Sequence, residues 1–565
     1  MGNYDGKLWL KSYDEGVSPE LDIPDEPVTA GYERIRKQFP DRPAFHFFGV
    51  TWTYEELFDA ADRFARALAD RGIGKDDVVA VNLPNLPQYL ISQLGAAKIG
   101  CWVAGISPLL ETEDMAFQLK DSGAKALVTL DPIFEHRLTP VSGDLPDLKF
   151  VIPTGILDFL PKFKQFMARL LKKVPTGKVG PLQGKEVMGF MDLLKAHEPD
   201  PPQVEILPDD VHLLQYTGGT TGVPKGAMLT HRNMVSQGVM WNEWFHMDMG
   251  KDVSCSGYPF FHVGGQCAFV ATIWNGATQI LIPNPRDTRH IVKEIAKYRP
   301  HFINNVPSLF MLLMSTPGFK DLDFSTVRFA TSAAAPFPVE PMKELENLIG
   351  KGRVVELYGL TETSPMITMN PTRGVKKIGS VGVPAPSTEI RLVDIDTGDN
   401  QVALGERGEL IVRGPQVMKG YWNNPEETSI VMREHDGNTW FHTGDIAVMD
   451  EDGYFTIVDR SKDMINVSGF KVFPREVEEK LYKLPFIEVC AVLGKDNPDR
   501  PGSELVRVVV QKRETFKDMT DHEIISEIEK FGKEHLGAYK KPKVIEVVDE
   551  IPMTAAGKVD RKALR

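Results

Sequence analysis

Apolar residues in the N-terminal half of the chain alternate between short β-type runs and stretches with helical spacing. DVVAVNLPN (77–85) precedes LPQYLISQLGAAKIG (86–100), and CWVAGIS (101–107) precedes a helical pattern at Met115–Ser122. A second series, between 277 and 335, runs through ATQILIP, RHIVKEIAKYRP, HFINNVP and VRFATSAAA. Strands that alternate with helices pair in parallel, and helices cover both faces of the sheet. We therefore predict two parallel α/β subdomains.

The pattern changes after about Ser380, where short strands are separated by Gly and Asp turns. GELIVRGPQVMKGYW (408–422) and DGYFTIVDR (452–460) are typical of a small β-rich subdomain. Beyond these, EVCAVLG, LVRVVVQKR, HEIISEIEKFGKEH and KVIEVVDEIP form a smaller α+β pattern. The sequence therefore predicts a large N-terminal α/β domain at 1–459 and a small α+β C-terminal domain at 463–565.

A basic insert at about 154–180 contains an amphipathic helical pattern from Ile156 to Val174. Its apolar positions are Ile156, Phe159, Leu160, Phe163, Phe166, Met167, Leu170, Leu171 and Val174. Its cations are Lys162, Lys164, Arg169, Lys172 and Lys173, with no acid between Asp158 and Val174. Such a helix either lies on anionic lipid or packs its apolar stripe on its own domain. The pattern alone leaves both interpretations open.

Composition and charge exclude several classes of protein. The 565 residues are 42% hydrophobic and 25% charged, as in an ordinary globular protein with several domains. The net charge of −13 argues against a nucleic-acid partner. Residues 463–565 hold 19 basic and 19 acidic residues, so this tail can face a polyanion without net repulsion. Four scattered cysteines, no secretory signal pattern and no apolar run of about 20 residues favour a cytoplasmic protein.

The strongest local signal for chemistry is the glycine-rich loop Thr217–Gly226, which follows the strand-like VHLLQY. Its glycines and hydroxyl residues allow N–H groups and side-chain oxygens to surround phosphates, and Lys225 adds positive charge. The spacing differs from that of a Walker A loop. By itself the loop predicts only a phosphate site.

Four further motifs occur in order, and with the loop they cover some 340 residues. They are YGLTET (358–363), TGD (443–445), DRSKDMINVSGFKVFPREVE (459–478) and PMTAAGKVDRKAL (552–564). With these motifs the chain resembles the adenylate-forming acyl-CoA synthetases, a family that also includes luciferases and the adenylation domains of peptide synthetases. The resemblance implies that a carboxylic acid reacts with ATP to give an acyl-adenylate and pyrophosphate. Coenzyme A then takes the acyl group and AMP leaves.

The resemblance implies a role for residues in each motif. Glu362 is the expected Mg²⁺ ligand, and His262 and Lys558 are expected to act at the substrate carboxylate, with Thr361 and Lys225 as further catalytic residues. The expected ATP- and AMP-binding residues are Thr217, Gly218, Gly219, Thr220, Thr221, Gly222, Lys225, Ala333, Ala334, Ala335, Tyr358, Gly359, Thr361, Asp445 and Arg460. Tyr358 and the loop Thr331–Pro336 are expected to enclose adenine, and Asp445 and Arg460 to bind the ribose hydroxyls.

The second half-reaction implies a mobile C-terminal domain. By resemblance, the hinge lies at 460–462 with Lys462 as its pivot, so 463–565 is a lid that rotates between the two steps. Rotation is expected to bring a pantetheine-binding segment into the site, formed by Val467, Ser468, Gly469 and Lys471. Asn466 stands where relatives often have lysine, so any contact of that lysine is in doubt.

The identity of the acid is less constrained. The expected acyl pocket is formed by Phe261, His262, Val263, Gly264, Gly265 and Gln266, where the two glycines are expected to leave room for substrate. KLWLKSY near the N-terminus and the basic insert resemble bacterial-type long-chain fatty acid ligases, which favours a medium- or long-chain fatty acid. An aromatic or alicyclic carboxylate is the main alternative.

Three other classes of function fit parts of the same sequence pattern. A luciferase-like use of the adenylate needs no coenzyme A. A peptide-synthetase unit lacks support, because no amino-acid-anchoring Asp is evident near His262. A nucleotide- or lipid-binding module without turnover is disfavoured by the presence of Glu362, Asp445, Arg460 and Lys558. The sequence is compatible with a monomer or a homodimer, and with peripheral contact to the inner face of the cell membrane through 156–174.

Overall fold

The computed structural model describes residues 4, 6–170, 174–217, 223–468, 470–498, 500, 502–554 and 558–565. The helices are α1 (Val28–Gln38), α2 (Tyr54–Ala69), α3 (Pro87–Lys98), α4 (Thr112–Asp121), α5 (Asp131–Ile133), α6 (Thr139–Val141), α7 (Lys162–Leu170), α8 (Phe190–Ala196), α9 (His231–Phe245), α10 (Val263–Trp274), α11 (Thr288–Tyr298), α12 (Pro307–Met314), α13 (Val339–Ile349), α14 (Pro425–Val431), α15 (Pro474–Leu481), α16 (Asp521–His535) and α17 (Arg561–Leu564).

The strands of the α/β part are β1 (Pro43–Phe47), β2 (Val50–Thr53), β3 (Val78–Asn82), β4 (Trp102–Gly105), β5 (Ala126–Leu130), β6 (Phe150–Thr154), β7 (Glu186–Val187), β8 (Val211–Tyr216), β9 (Gly226–Thr230), β10 (Val253–Ser256), β11 (Thr278–Ile280), β12 (Phe302–Asn305), β13 (Phe329–Ser332), β14 (Val354–Gly359), β15 (Met366–Met369) and β16 (Val383–Pro384). The later strands are β17 (Glu389–Val393), β18 (Gly408–Arg413), β19 (Gly420–Tyr421), β20 (Met432–His435), β21 (Asn438–Met449), β22 (Phe455–Arg460), β23 (Ile465–Val467), β24 (Phe470–Val472), β25 (Ile487–Asp496), β26 (Glu504–Lys512) and β27 (Val544–Val548).

Two large sheets confirm the predicted pair of α/β subdomains. One sheet has the order β19-β9-β8-β4-β3-β5-β6-β7, and the other β16-β15-β14-β13-β12-β10-β11-β1-β2. In each sheet the central strands are parallel, and antiparallel strands lie at one edge or both. The strands β3, β5 and β6 are buried along their whole length, as expected for a sheet covered by helices on both faces.

The predicted β-rich subdomain is a five-stranded antiparallel sheet. Its order is β17-β18-β21-β20, and β22 pairs with β21. The pairing of β18 with β21 is irregular: Glu409 lies opposite Ile446, whereas Ile411 lies opposite His442. The extra residues of β21 therefore form a bulge at Thr443, Gly444 and Asp445, and a bulge changes the direction in which side chains point.

The C-terminal part has its own sheets and its own core. The hairpin β23-β24 and the three-stranded sheet β25-β26-β27 contain the predicted α+β elements together with α15 and α16. A hydrophobic cluster from Ile465 to Leu536 is separate from the large N-terminal cluster. The α/β fold with a small α+β C-terminal unit is thus confirmed, while the boundary at 459–463 and the rotation stay predictions.

The basic insert forms α7, and its apolar residues divide into two groups. Phe159, before the helix, is 7% exposed and packs against Trp52 at a ring-centroid distance of 5.0 Å. Phe163 and Phe166, on the helix, are 74% and 63% exposed. Residues 171–173 of the predicted helix lie outside the described residues. None of the described helices combines the length and apolar character needed to cross a bilayer.

Candidate active site

The glycine-rich loop connects β8 to β9 at the carboxyl end of a central strand, the edge where α/β sheets bind ligands. Its two ends are joined, because the N–H of Thr217 donates to the carbonyl of Lys225 at 2.9 Å. Gly218, Gly219, Thr220, Thr221 and Gly222 lie outside the described residues, so their phosphate contacts stay predictions.

Lys225 is held by residues far away in sequence. Its ammonium forms an ion pair with Glu427 at the start of α14, and it lies 5.2 Å from the ring centre of Tyr421. The backbone of Trp422 donates to the carbonyl of Gly226 at 2.8 Å, and Tyr421 pairs with Ala227. The short strand β19 therefore extends the sheet beside the glycine-rich loop.

Glu362, the expected metal ligand, lies in a single 3₁₀ turn, Thr361–Thr363, that follows β14. The hydroxyl of Tyr421 donates to its carboxylate at 2.6 Å. The N–H of Met418 donates to the Glu362 carbonyl at 2.8 Å. The segment around β19 thus contacts both the glycine-rich loop and Glu362, and it brings two predicted motifs together.

Three strands contribute side chains that contact one another: Tyr358 from β14, Asp445 from β21 and Arg460 from β22. The Tyr358 hydroxyl donates to Asp445 Oδ2 at 2.5 Å, and Arg460 Nε lies 3.0 Å from Asp445 Oδ1. Asp445 and Arg460 are direct partners in the β21–β22 ladder. Desolvation, followed by the nearby Asp445 carboxylate, raises the pKa of Tyr358. The hydroxyl therefore stays protonated and remains a donor.

The small-residue loop follows the carboxyl end of β13. Tyr258, on a neighbouring loop, accepts from the Ala333 N–H at 2.8 Å and donates to the carbonyl of Asn305 at 2.8 Å. Ala334 has a φ of +73°, a left-handed conformation that is uncommon for a residue other than glycine. The loop is thus held in place next to Tyr358's strand, while the adenine contacts of Ala333, Ala334, Ala335 and Gly359 stay predictions.

Lys558 reaches this site from the C-terminal end of the chain. Its backbone is held by Thr554, whose N–H donates to the Lys558 carbonyl at 2.7 Å. Desolvation and then repulsion by Arg460 lower the pKa of the Lys558 ammonium to about 8, while Asp445 and Glu362 act against the shift. Lys558 is thus within electrostatic reach of residues from three other motifs.

His262 is the N-cap of α10 and lies near Lys558. Its Nδ1 accepts from the Gly264 N–H at 3.1 Å. Desolvation and then repulsion by Lys558 lower the pKa of the imidazole to about 3. Near neutral pH the ring is therefore uncharged, and its Nε2 is the nitrogen that carries the proton.

Gly265, the second glycine after His262, has a structural reason for its residue type. A Cβ on Gly265 would lie 1.9 Å from the Pro259 carbonyl oxygen, so this glycine allows close packing of the backbone. Gln266 is buried and donates to the Phe260 carbonyl at 2.6 Å and to Gln93. The Phe261 carbonyl accepts from Gln215 at 2.5 Å, and Val263 is buried. The acyl-pocket assignments stay predictions.

The expected coenzyme A segment contacts its own domain and the β-rich subdomain. Ser468, with a φ of +52°, donates its N–H to Ser503 at 2.9 Å. Lys471 forms an ion pair with Asp396 of the β-rich subdomain at 2.7 Å. Desolvation and then Arg460 lower the pKa of Lys462, so the expected pivot lies within electrostatic reach of Arg460 and Asp445. Val467 ends β23, and Gly469 lies outside the described residues.

Two residues of the site were not predicted from sequence: Tyr421 and Glu427. The contact of Tyr258 with the Ala333 loop was not predicted either. Tyr421 and Glu427 follow the β-rich pattern, and no spacing relates them to Glu362 or Lys225. Only the pairing of β19 with β9 brings them there.

Comparisons with known proteins agree with this geometry. The profile of AMP-binding enzymes matches residues 32–422, and that of the AMP-binding enzyme C-terminal domain matches 476–558. A long-chain-fatty-acid–CoA ligase of Escherichia coli O157:H7 is 36% identical and covers 99% of this chain and 98% of its own length. One from Bacillus subtilis strain 168 is 35% identical, with 99% and 97% covered. The crystal structure of the anthranilate CoA ligase AuaEII with anthranoyl-AMP superposes with a TM-score of 0.82 at 24% identity, covering 96% and 98%.

A two-domain fold with these motifs gathered at the carboxyl edges of its sheets defines an AMP-forming acid–thiol ligase, a class whose co-substrates are ATP and coenzyme A. The chain belongs to the AMP-binding enzyme family.

Proposed function

We propose that this protein is an ATP-dependent ligase that activates a medium- or long-chain fatty acid as its acyl-adenylate and transfers it to coenzyme A. The observation that carries the proposal is that the Lys558 ammonium lies within electrostatic reach of Arg460, Asp445, Glu362 and His262. A lysine near the end of the chain has no structural need to be desolvated among catalytic-motif residues. Its presence there supports the adenylate-forming half-reaction.

In the adenylation step, charged and neutral side chains have different roles. Attack of a carboxylate on the α-phosphate brings anions together, so Lys558 and Lys225 are placed to stabilise charge that increases in the transition state. His262, being neutral near pH 7, can donate from Nε2 to the carboxylate without adding charge. Asp445 and Arg460 take the ribose hydroxyls, and Thr361 the α-phosphate.

The side chain of Glu362 is a carboxylate, a type of oxygen ligand that Mg²⁺ prefers. Mg²⁺ is usually bound by one or two carboxylates together with substrate phosphates, rather than by an all-protein cage. The described residues contain no cluster of three or more His, Cys, Asp or Glu side chains arranged for a metal ion. By the general preference of Mg²⁺, Glu362 would hold the ion together with ATP, and the ion would neutralise the phosphate charge.

The preference for a fatty acid rests on the relatives. The long-chain-fatty-acid–CoA ligases match over essentially the whole chain at 35–36% identity. The anthranilate ligase, which acts on an aromatic acid, shares 24% identity and supports the fold alone. An aromatic or alicyclic acid is therefore the second candidate. Every residue named above lies in one chain, so the proposal holds for a monomer and for a homodimer.

A substrate panel tests the proposal. The protein is incubated with ATP, Mg²⁺ and coenzyme A, and AMP release is measured with C8–C16 fatty acids and with benzoate- and cyclohexane-type acids. We expect the highest kcat/KM with a fatty acid. If the cyclic acids are faster, the fatty acid assignment is wrong, and if no acid gives acyl-CoA, the ligase assignment is wrong.

The exposed face of α7 supports a contact with the inner face of the cell membrane. Phe163, Phe166 and Met167 are 74%, 63% and 36% exposed, and Lys162 and Lys164 lie beside them. Apolar side chains flanked by cations suit an anionic bilayer, in which the fatty acid itself dissolves. Flotation with phosphatidylglycerol vesicles tests this contact: the intact chain should float, and a chain without α7 (Lys162–Leu170) should not.

A further inference from the structure

The turn that carries Asp445 is a bulge in a β-ladder, and a bulge leaves backbone groups without their ladder partners. Glu409 lies opposite Ile446 and Ile411 opposite His442, so Thr443, Gly444 and Asp445 occupy the irregular part of β21. Gly444 has a φ of +69°, which favours glycine. The shape of this turn therefore decides where the Asp445 carboxylate points.

One side chain supplies a partner to the bulge and to the residue before it. Glu409 Oε1 accepts from the Gly444 N–H at 3.0 Å, and Glu409 Oε2 accepts from His442 Nδ1 at 3.1 Å. The side chain of Glu409 is 16% exposed and that of His442 is 3% exposed. Burial disfavours the charged carboxylate, but the bonds from His442 and Gly444 outweigh this effect and keep the pKa of Glu409 below its ordinary value.

The second ring nitrogen of His442, Nε2, also has a hydrogen-bond partner. Its Nε2 lies 2.9 Å from Nε2 of His435, and the two rings stack with centroids 5.1 Å apart. The charged groups around this pair are Glu409, Asp399, Arg391 and Arg433. With Nδ1–H of His442 given to Glu409, Nε2 of His442 is an acceptor and His435 is the donor. The ring therefore cannot turn away from Glu409 without breaking a bond at each end.

We propose that Glu409 is a positioning residue for nucleotide binding, which holds the Thr443–Asp445 bulge so that the Asp445 carboxylate faces the ribose site. Asp445 is itself 3% exposed and is bonded to Tyr358 and Arg460. Those two bonds restrain the carboxylate from the site side, and Glu409 restrains the backbone behind it. The inference rests on the proposed role of Asp445 as the ribose ligand.

Two substitutions that preserve different properties of Glu409 test this role. Glu409→Asp keeps the charge but withdraws the carboxylate by one methylene, so it no longer reaches Gly444. Glu409→Gln keeps the length: its amide oxygen still accepts from the Gly444 N–H, and its amide NH2 donates to Nδ1 of His442 once the His442–His435 pair reverses its tautomers. The readout is the ratio of kcat/KM for ATP to kcat/KM for 2′,3′-dideoxy-ATP, which isolates recognition of the ribose hydroxyls, with thermal unfolding as a check on folding.

We expect the wild-type enzyme to prefer ATP, Glu409→Asp to reduce that preference by about tenfold, and Glu409→Gln to stay within about threefold of wild type. If Glu409→Asp slows both nucleotides equally, or leaves the ratio unchanged, the positioning role is wrong. If Glu409→Gln loses the preference while Glu409→Asp retains it, charge rather than position is decisive and the inference is also overturned. A wild-type enzyme that turns over both nucleotides equally instead contradicts the ribose role of Asp445.

Discussion

The pKa values of Lys558 and His262 are set by surroundings to which several motifs contribute. Lys558 is desolvated and lies near Arg460, which lowers the pKa of its ammonium to about 8. His262 is neutral because burial and Lys558 both oppose its protonation. Perturbed residues grouped in one place are typical of functional sites. Substitutions of single residues therefore test the adenylation step most directly.

Replacing Lys558 with Ala should separate the two half-reactions. We expect formation of acyl-adenylate from fatty acid and ATP to fall by about 10²-fold or more, because a positioned cation is lost from the transition state. Thioester formation from supplied acyl-adenylate and coenzyme A should stay near the wild-type rate. Both rates are measured by rapid quench, and an unchanged adenylation rate would contradict the role of Lys558.

The lowered pKa of Lys558 predicts a pH limit for adenylation. Lys558 is protonated below about pH 8 and loses its charge as the pH rises through that value, so kcat/KM for adenylation should fall above about pH 8. In Lys558→Arg the guanidinium stays charged, and this decline should be absent up to pH 10. A decline of the same midpoint in Lys558→Arg would assign it to another group.

At the scale of elements, α7 and the segment before it have opposite environments. Phe159 packs in the core, with ring centroids 5.0 Å from Trp52 and 6.2 Å from Phe190. Phe163 and Phe166 are mostly exposed. The core interpretation therefore holds for the part of the insert before the helix. The helix itself presents apolar side chains to the outside, and its contact with lipid stays a prediction.

Phe163→Ser combined with Phe166→Ser should weaken binding to phosphatidylglycerol vesicles by about 10²-fold or more, because two large apolar side chains no longer enter the bilayer. The unfolding midpoint should stay unchanged, since both side chains are exposed in the folded protein. Flotation and thermal melting measure the two effects. Unchanged flotation of the double variant would rule out this face as the anchor.

Phe159→Ala is the matched control within the same insert. Because this ring is 7% exposed, its loss should leave a cavity and reduce the free energy of unfolding by about 3 kcal/mol or more. Vesicle binding of the folded variant should stay near the wild-type level. Denaturant titration measures the stability, and a stability equal to wild type would show that the insert does not pack as described.

At the scale of the whole molecule, the C-terminal unit contacts the large domain through pairs that a rotation must break. Lys471 and Asp396 form such a pair at 2.7 Å, with side chains 43% and 82% exposed. In the same arrangement Lys558 lies within electrostatic reach of Asp445 and Glu362, and Ser468 of the expected coenzyme A segment bonds to Ser503 of its own domain. We therefore predict that this arrangement serves adenylation and that a different one serves the thiol.

Tethering the two domains should therefore block only the second half-reaction. Asp396→Cys with Lys471→Cys, joined by a short bis-maleimide, should still form acyl-adenylate but release little acyl-CoA. The four native cysteines are buried, so the reagent should select the introduced pair. The same variant without the reagent is the control. Full acyl-CoA release from the tethered enzyme would show that no rotation is needed.

The α/β elements and the ribose, metal and lysine candidates were predictable, because apolar periodicity and motif order are properties of the chain itself. Tyr358, Glu362, Asp445, Arg460 and Lys558 all meet in one region of the structure. The close-packing reason for Gly265 was not predictable, since it depends on the carbonyl that the glycine faces.

Only the tertiary structure decided which distant side chains bond to those motifs. It also decided which apolar residues are exposed on the surface. Glu409 reaches Gly444 across a ladder, and Tyr421 reaches Glu362 through the strand pairing of β19. Sequence determines local backbone geometry and the kind of chemistry available, because both depend on residue type and spacing. Partners that are tens or hundreds of positions apart become neighbours only through strand register and packing, which no local pattern encodes.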